Sequence, residues 1–230
     1  MTSRALVVID VQESFRQRPI WSVTSNPEIA DRVRRLTEAF RAAGDLVVWV
    51  LHTEPGTGDV FDPALGFVRL MDGLEPGPGE PVLHKTSHNA FTTTNLQQLL
   101  TRAGVLEVAV CGIRTEQCVE TTARLASDLG YRVTFVTDAT ATNPIEHPDA
   151  PPGRTLAEIL ADPRTLGVDE ILARTEYALA GRFATIRTVA ELTGGPAEPA
   201  AEGAGADAGR TVPEPAAPDR AAAVPEPAVG

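Results

Sequence analysis

Two residues of this chain occupy positions that suit a nucleophile and a base. Cys118 falls at the start of a predicted helix, where free backbone N–H groups and the helix dipole stabilise a thiolate. Asp10 interrupts an apolar, strand-type run near its carboxyl end, and burying a carboxylate there is costly unless it is paired or used. Together they suit nucleophilic hydrolysis. The alternative for Cys118 is a small buried hydrophobe, and its position alone does not decide between the two.

The segment around Cys118 has the pattern of a strand, a sharp turn, a helix and a second strand. Its predicted parts are a strand over Val105–Cys111, a break at Gly112, a helix over Glu116–Leu129 with Thr115 as N-cap, and a strand over Tyr131–Thr137. A unit of this length is a parallel βαβ crossover.

The rest of the chain repeats this alternation of strands and helices. Further strands are predicted over Ala5–Val11, Leu46–Leu51, Pro81–His84 and Ala184–Thr188. Helices are predicted up to Ala43 and over Asn95–Ala103, Arg154–Ala161 and Asp169–Ala180. The sequence therefore predicts an α/β fold with a parallel sheet.

Length and composition exclude several classes of protein. The 230 residues suit one α/β domain with an appendage, and the net charge of −11 argues against nucleic acid as a partner. No apolar run is long enough to cross a bilayer, and the first residues lack the layout of a signal peptide. We therefore predict a cytoplasmic protein without a membrane partner. Cys111 and Cys118, the two cysteines, are not expected to form a disulfide.

The C-terminal part has a different composition. After residue 193 alanine, proline, glycine and glutamate dominate, and the string VPEPA occurs twice. Such a segment offers few side chains for a core. We predict a folded domain over residues 1–193 and a disordered tail over residues 194–230.

Several short motifs together resemble the isochorismatase-like cysteine hydrolases, a family that includes nicotinamidases, N-carbamoylsarcosine amidases, ureido-group hydrolases and isochorismatases. The matches are Asp10 at the end of the first strand, K-T-S-H-N-A-F over Lys85–Phe91, and G-I-R-T-E-Q-C over Gly112–Cys118. The D-A-T run Asp138–Thr140 also fits. Each motif alone is weak, but their order and spacing over roughly Arg4–Leu192 are fairly specific.

The resemblance implies a fold and a reaction. The fold is a three-layer, Rossmann-like α/β arrangement with a six-stranded, mostly parallel sheet and helices on both faces. In the reaction, Cys118 attacks a carbonyl bonded to nitrogen, Asp10 moves the proton, and Lys85 supports the thiolate. An acyl-thioester forms and is hydrolysed. Backbone N–H groups of Arg114 and Cys118 hold the oxyanion, beside a cis peptide bond between Ile113 and Arg114.

The segment after the second predicted strand is long and rich in glycine and proline, and we expect it to fold over the active site. His52 and Glu54 in this segment raise the question of a metal. Nicotinamidases of the family carry a D-x-H metal motif near this place, whereas here the pair is His-x-Glu. Because zinc needs three or four converging ligands, we predict no metal and no other cofactor. His84 and His88 flank Lys85 and are interpreted as structural or substrate-facing.

The candidates for substrate contact lie near the motifs or in the loops expected around them. They are Phe15, Trp21, Glu54, Asn89, Phe91, Arg114 and Gln117. Asn89 stands where many relatives have serine. Acidic groups of the long loop, Glu54, Asp59 and Asp62, would suit a cationic substrate, although ordinary solvated loop charges explain them equally well.

Other functions stay open beside an amidase. An isochorismatase cleaves a vinyl ether, which needs the acid but no thiolate, so the set Asp10, Lys85 and Cys118 favours hydrolysis of an amide, lactam or ureide. Relatives that open the lactam of basic antibiotics such as streptothricin make that substrate a specific option. A non-catalytic interaction module or a nucleotide-binding oxidoreductase would turn over no amide. Relatives are often dimers or tetramers, so we expect a homodimer or homotetramer that binds a small-molecule substrate.

Overall fold

The computed structural model describes residues 4–195, so that the predicted tail lies outside the described residues except for Gly194 and Gly195. The strands are β1 (Arg4–Ile9), β2 (Leu46–His52), β3 (Val82–Lys85), β4 (Glu107–Ile113), β5 (Arg132–Ala141) and β6 (Thr185–Arg187). The helices are α1 (Ile29–Ala42), α2 (Leu96–Arg102), α3 (Glu120–Asp128), α4 (Leu156–Ala161), α5 (Val168–Leu179) and α6 (Val189–Thr193). Between residues 4 and 195, no helix combines the length and apolar character that crossing a membrane requires.

The strands form one sheet in the order β3-β2-β1-β4-β5-β6, and every neighbouring pair is parallel. The predicted six-stranded α/β fold is confirmed, and the sheet is wholly parallel where a mostly parallel one was expected. The chain winds outwards from β1 to β3 and then returns to place β4 on the other side of β1. This change of direction opens a crevice beyond the carboxyl ends of β1 and β4, where open α/β sheets bind ligands.

The central strands are buried on both faces of the sheet. In β1, Ala5, Val7 and Ile9 pack into one core, and Leu6 and Val8 pack into the other. Side chains from α2, α3 and α5 complete the first core, and side chains from α1 and α6 complete the second. The nearly continuous apolar runs of the strands follow from this arrangement, because both faces of each central strand need apolar side chains.

β4 and β5 extend beyond their predicted ends at Cys111 and Thr137. The register between them shifts between Val110 and Gly112, and pairing then resumes with Gly112 opposite Thr140. Gly112 has a φ of 129°, a conformation that glycine adopts far more readily than other residues. The glycine that was expected to end the strand therefore bends it and lets it continue to Ile113.

The long loop after β2 covers the carboxyl end of β1, as the sequence predicts. The Glu13 N–H donates to the carbonyl of Arg69 at 2.9 Å, and the Met71 N–H donates to the carbonyl of Val11 at 3.1 Å. Phe61 and Met71 of the loop are buried in the second core. The loop is thus anchored to the segment that follows β1 and forms one wall of the crevice.

Candidate active site

The three motif residues meet at the bottom of the crevice. Asp10 follows β1, Lys85 ends β3, and Cys118 lies in the helical turn after β4. Lys85 Nζ lies 2.8 Å from Asp10 Oδ2 and donates a hydrogen bond of 3.4 Å to Cys118 Sγ. Asp10 and Lys85 are fully buried, and Cys118 is 8% exposed. The ammonium group therefore links the carboxylate to the thiol away from bulk water.

Other acceptors surround the buried ammonium group of Lys85. Its Nζ donates to the Ser87 carbonyl at 3.0 Å and lies 3.3 Å from His52 Nδ1. The other ring nitrogen of His52, Nε2, lies 3.1 Å from Glu54 Oε1. A neutral His52 protonated on Nε2 satisfies both contacts, since it donates to Glu54 and accepts from Lys85; we assign this tautomer from the hydrogen-bond network.

Within the described residues, the side chains around His52 and Glu54 do not form a metal site. Residues 4–195 contain no group of three or more histidine, cysteine, aspartate or glutamate side chains arranged to hold a metal ion. His52 and Glu54 pair with each other, and His52 also contacts Lys85. That any activity is independent of metal ions stays a prediction.

Asp10 occupies an unusual backbone conformation. Its φ of 55° lies in the left-handed region, which few residues other than glycine, asparagine and aspartate tolerate. The Asp10 N–H still donates to the Val50 carbonyl at 2.8 Å, and the Gln12 N–H donates to the Asp10 carbonyl at 2.9 Å. The chain therefore turns sharply at the end of β1, as is common for residues held in place for function.

The turn that carries Cys118 differs from the predicted helix start. Thr115 is not the N-cap: its Oγ1 donates to Thr140 Oγ1 at 2.9 Å, and Arg114 precedes the first helical turn. That turn, Thr115–Val119, is π-helical, and α3 begins only at Glu120. The Arg114 carbonyl accepts from the N–H groups of Gln117 and Val119, both at 3.2 Å, which widens the turn.

The peptide bond between Ile113 and Arg114 is cis, which confirms the expectation drawn from the family resemblance. An oxyanion hole formed by the N–H groups of Arg114 and Cys118 remains a proposal.

Burial changes the acid–base behaviour of the site. It raises the pKa of the Cys118 thiol to about 12, and the negative charge of Asp10 acts in the same direction, against the smaller opposing effect of Lys85. Burial also raises the pKa of Asp10, while the Lys85 charge lowers it. This direction is opposite to the one expected from a helix start with a neighbouring cation, because desolvation and Asp10 together outweigh the stabilisation by Lys85. A carboxylate with a raised pKa is instead a stronger base toward the thiol.

Replacing Asp10 with asparagine is expected to make Cys118 easier to alkylate. The substitution removes the negative charge that raises the pKa of the thiol and keeps Lys85, and asparagine tolerates the left-handed conformation. The rate of iodoacetamide labelling at Cys118 should therefore rise at a lower pH in Asp10→Asn than in the wild type. Mass spectrometry of the labelled peptides gives both profiles.

Cys111 provides the internal control for this labelling. It is fully buried on β4, and burial raises the pKa of its thiol. It should label slowly in both proteins. Wild-type Cys118 that labels with an apparent pKa below about 8.5, the value of a free thiol, would restore the thiolate interpretation.

A cavity of about 220 Å³ opens above Cys118, a size that suits a small substrate or one end of a larger one. Four of the seven predicted contact residues line it, namely Phe15, Glu54, Arg114 and Gln117, together with Asp10 and Cys118. The other lining residues are Arg18, His52, Phe61 and His88. Arg18 and Phe61 were not predicted, and they come from loops whose sequence has no periodic pattern.

The other three predicted contact residues do not line this cavity, contrary to the prediction. Phe91 packs in the first core and stacks on Tyr131, with ring centroids 6.2 Å apart. The Asn89 side chain accepts from the N–H groups of Phe91 and Thr92, at 2.9 Å and 2.8 Å, and so stabilises a turn. Trp21 packs against the second core.

The acidic residues of the long loop already have partners. Asp59 forms an ion pair of 2.7 Å with Arg18, and Glu54 contacts His52. Asp62 accepts from the N–H groups of Gly58 and Ala64, at 2.9 Å and 3.1 Å. Because these carboxylates serve local contacts, the structure does not support their selection of a cationic substrate.

Comparison with known proteins identifies the family of the chain. The family model for the isochorismatase domain matches residues 4–151. Nicotinamidase 3 from Arabidopsis thaliana is 48% identical over 152 residues, which cover 60% of this chain and 73% of that protein. Two streptothricin hydrolases from Streptomyces noursei are 43% and 44% identical over 64% of this chain. These matches cover 52% and 57% of the two hydrolases, so the chain spans little more than half their length.

Solved structures agree with this assignment. An isochorismatase from Pseudomonas putida KT2440 superposes with a TM-score of 0.70 at 30% identity, over 82% of this chain and 89% of that one. N-carbamoylsarcosine amidase from Thermoplasma acidophilum shares the fold, with a TM-score of 0.58 at 23% identity over 82% of this chain and 97% of that one. With its family-model match, its parallel sheet and the residues at its switch point, this chain belongs to the isochorismatase family.

Proposed function

We propose that this protein hydrolyses a C–N bond of a small amide, lactam or ureide, with Cys118 as the nucleophile. The observation that carries the proposal is the contact of Lys85 with both Asp10 and Cys118 at the bottom of the cavity. The similarity to a nicotinamidase and to streptothricin hydrolases supports this reaction class. The raised pKa of Asp10 supports its role as the base.

In the proposed first half-reaction, the thiol starts neutral. Sγ of Cys118 attacks the carbonyl carbon while its proton passes to Asp10, and the carbonyl electrons move to the oxygen. The backbone N–H groups of Arg114 and Cys118 hold this oxyanion. When it collapses, the C–N bond breaks, Asp10 returns the proton to the leaving nitrogen, and a thioester remains. Lys85 offsets the negative charge that moves between the thiol and the carboxylate.

The second half-reaction restores the enzyme. Asp10 accepts a proton from a water molecule whose oxygen attacks the thioester carbonyl. The C–S bond breaks, the carboxylic product leaves, and the proton held by Asp10 returns to Sγ. Asp10 therefore serves as base and then as acid in each half.

A panel of amides and ureides, scored for released ammonia or amine, tests the proposed function. The purified protein should turn over at least one member, and Asp10→Asn should lose that activity because no base remains to accept the thiol proton. A folded protein that hydrolyses no member would favour the interaction module.

A streptothricin-type lactam is the second candidate substrate. It is supported by the 43% and 44% identity to the two streptothricin hydrolases. The matches cover little more than half the length of those proteins. A lactam of this type belongs in the panel beside simple amides.

A further inference from the structure

Arg114 is the charged residue of the cavity whose side chain is left without a partner. The other ionic groups that line the cavity have partners of their own: Asp10 pairs with Lys85 at 2.8 Å, Arg18 pairs with Asp59 at 2.7 Å, and Glu54 accepts a hydrogen bond from the neutral His52 at 3.1 Å. Within residues 4–195, the Arg114 guanidinium has neither a hydrogen bond nor an ion pair, although its side chain is partly buried. A partly buried guanidinium without a partner gains charge-assisted hydrogen bonds when an anion binds beside it.

The surroundings of Arg114 support this interpretation. Burial lowers the pKa of the guanidinium, and the nearby charge of Arg18 acts in the same direction. Glu116 opposes these effects, but its Oε2 accepts from Thr142 Oγ1 at 2.6 Å, and the residue does not line the cavity. Glu116, the carboxylate nearest to Arg114 in the sequence, therefore acts on the guanidinium through its charge but forms no ion pair with it. None of the described residues that line the cavity forms an ion pair with Arg114 either.

We propose that Arg114 binds an acidic group of the substrate, so that the preferred substrates are amides or ureides that carry a carboxylate. This assignment of the substrate class rests on the proposed hydrolase function. A planar guanidinium group binds a carboxylate through two parallel hydrogen bonds, which fixes orientation as well as adding affinity. Arg114 and Cys118 belong to the same turn and line the same small cavity. One small molecule can therefore reach both the guanidinium and the nucleophile.

The direct test compares matched amides that differ in charge. Malonamate, succinamate and glutaramate carry a carboxylate at increasing distance from the amide, 4-methylpentanamide is a neutral isostere of succinamate, and 4-aminobutanamide carries a cation. Released ammonia gives kcat/KM for each. The best acidic amide should exceed the neutral isostere by about 10- to 100-fold, the range expected for hydrogen bonds to a charged group, and the cationic amide should be the poorest.

Two substitutions at Arg114 test whether the preference for acidic amides depends on its side chain. Arg114→Gln should reduce the ratio of kcat/KM between the acidic and the neutral amide toward one, and Arg114→Lys should keep part of it because a cation remains. Arg182→Gln is the matched control, since this arginine is exposed and lies outside the cavity, and it should leave the ratio as in the wild type. Glu116→Gln should maintain or increase the ratio, because it removes the nearest competing carboxylate.

A binding measurement separates this inference from the proposed reaction. Calorimetric titration of the Cys118→Ala protein with succinate and glutarate should show binding that is lost when Arg114→Gln is added. Amide turnover without a preference for the acidic members, or with a preference that Arg114→Gln leaves unchanged, would overturn the inference and leave the hydrolase function standing. If no amide is turned over, binding of succinate or glutarate that depends on Arg114 would still support the anion site. Absence of such binding would reject it.

Discussion

Replacing Cys118 with alanine is expected to reduce turnover of any accepted amide by at least about 10⁴-fold, because Cys118 is the proposed nucleophile. The fold should survive, since alanine suits a helical turn and the change removes one sulfur atom at the edge of the first core. Ammonia release over hours measures the residual rate, and circular dichroism with thermal melting reports the fold.

Cys111→Ala is the matched control for this experiment. Cys111 is fully buried on β4, outside the residues that line the cavity, and its replacement should not affect the chemistry. A Cys118→Ala protein that keeps more than about a tenth of the wild-type rate would remove the covalent mechanism, since losing a nucleophile costs far more than tenfold. Direct attack on the amide by a water molecule that Asp10 activates, without a covalent intermediate, would then become the better explanation.

Replacing Gly112 with alanine is expected to destabilise the protein by more than about 4 kcal/mol or to prevent folding, an effect far above that of an average substitution. A Cβ atom at this position would lie 1.9 Å from the carbonyl oxygen of Ile9, a backbone atom of the neighbouring central strand. The φ of 129° adds backbone strain for any residue with a side chain. Urea unfolding followed by circular dichroism measures the change in the free energy of unfolding.

Gly130→Ala distinguishes the steric effect from the conformational one. Gly130 also has a positive φ, 92°, but a Cβ there would meet no atom within 4 Å. Its replacement should cost about 1 kcal/mol, the usual penalty for alanine in a glycine conformation. If Gly112→Ala proved no more destabilising than Gly130→Ala, β1 and β4 would be able to move apart freely, contrary to their close packing.

The fold was largely predictable because each central strand is buried on both faces. Runs such as Ala5–Ile9 and Val108–Cys111 are apolar throughout, and this pattern separates them from the amphipathic helices between them. The parallel crossover followed from the alternation of strands and helices, whereas the six-stranded, mostly parallel sheet came from the family resemblance. The extension of β5 through Asp138–Ala141 was missed, since its pairing with β4 depends on a register shift that local sequence does not reveal.

The residues of the site that belong to sequence motifs were predictable, whereas those contributed by loops were not. Asp10, Lys85 and Cys118 were brought together by the order of the strands. Arg18 was missed because its place over the cavity depends on Asp59, which lies 41 residues further along the chain. Phe91 was misassigned because the apolar character that marks a possible pocket residue marks a core residue equally well.

The charge state of Cys118 shows how a local rule fails in its tertiary context. A helix start with a neighbouring cation lowers the pKa of a cysteine when the thiol is accessible to water. Here the thiol is buried beside a carboxylate, and the pKa rises to about 12. Sequence reasoning identified all three residues, but the balance between desolvation and the two opposite charges required their burial and distances.

The central place of β1 affects how the protein can be made. β1 lies between β2 and β4, and Arg4 pairs in register with Glu107, so one neighbour of the first strand is synthesised about a hundred residues after it. At 5–20 residues per second, a ribosome needs roughly 5–20 s to supply β4. During that time an apolar strand has an unpaired edge, which favours aggregation or binding by a chaperone. Asp10 and Cys118 come together only when this wait ends, so activity that appeared during synthesis would report the pairing of β4 with β1.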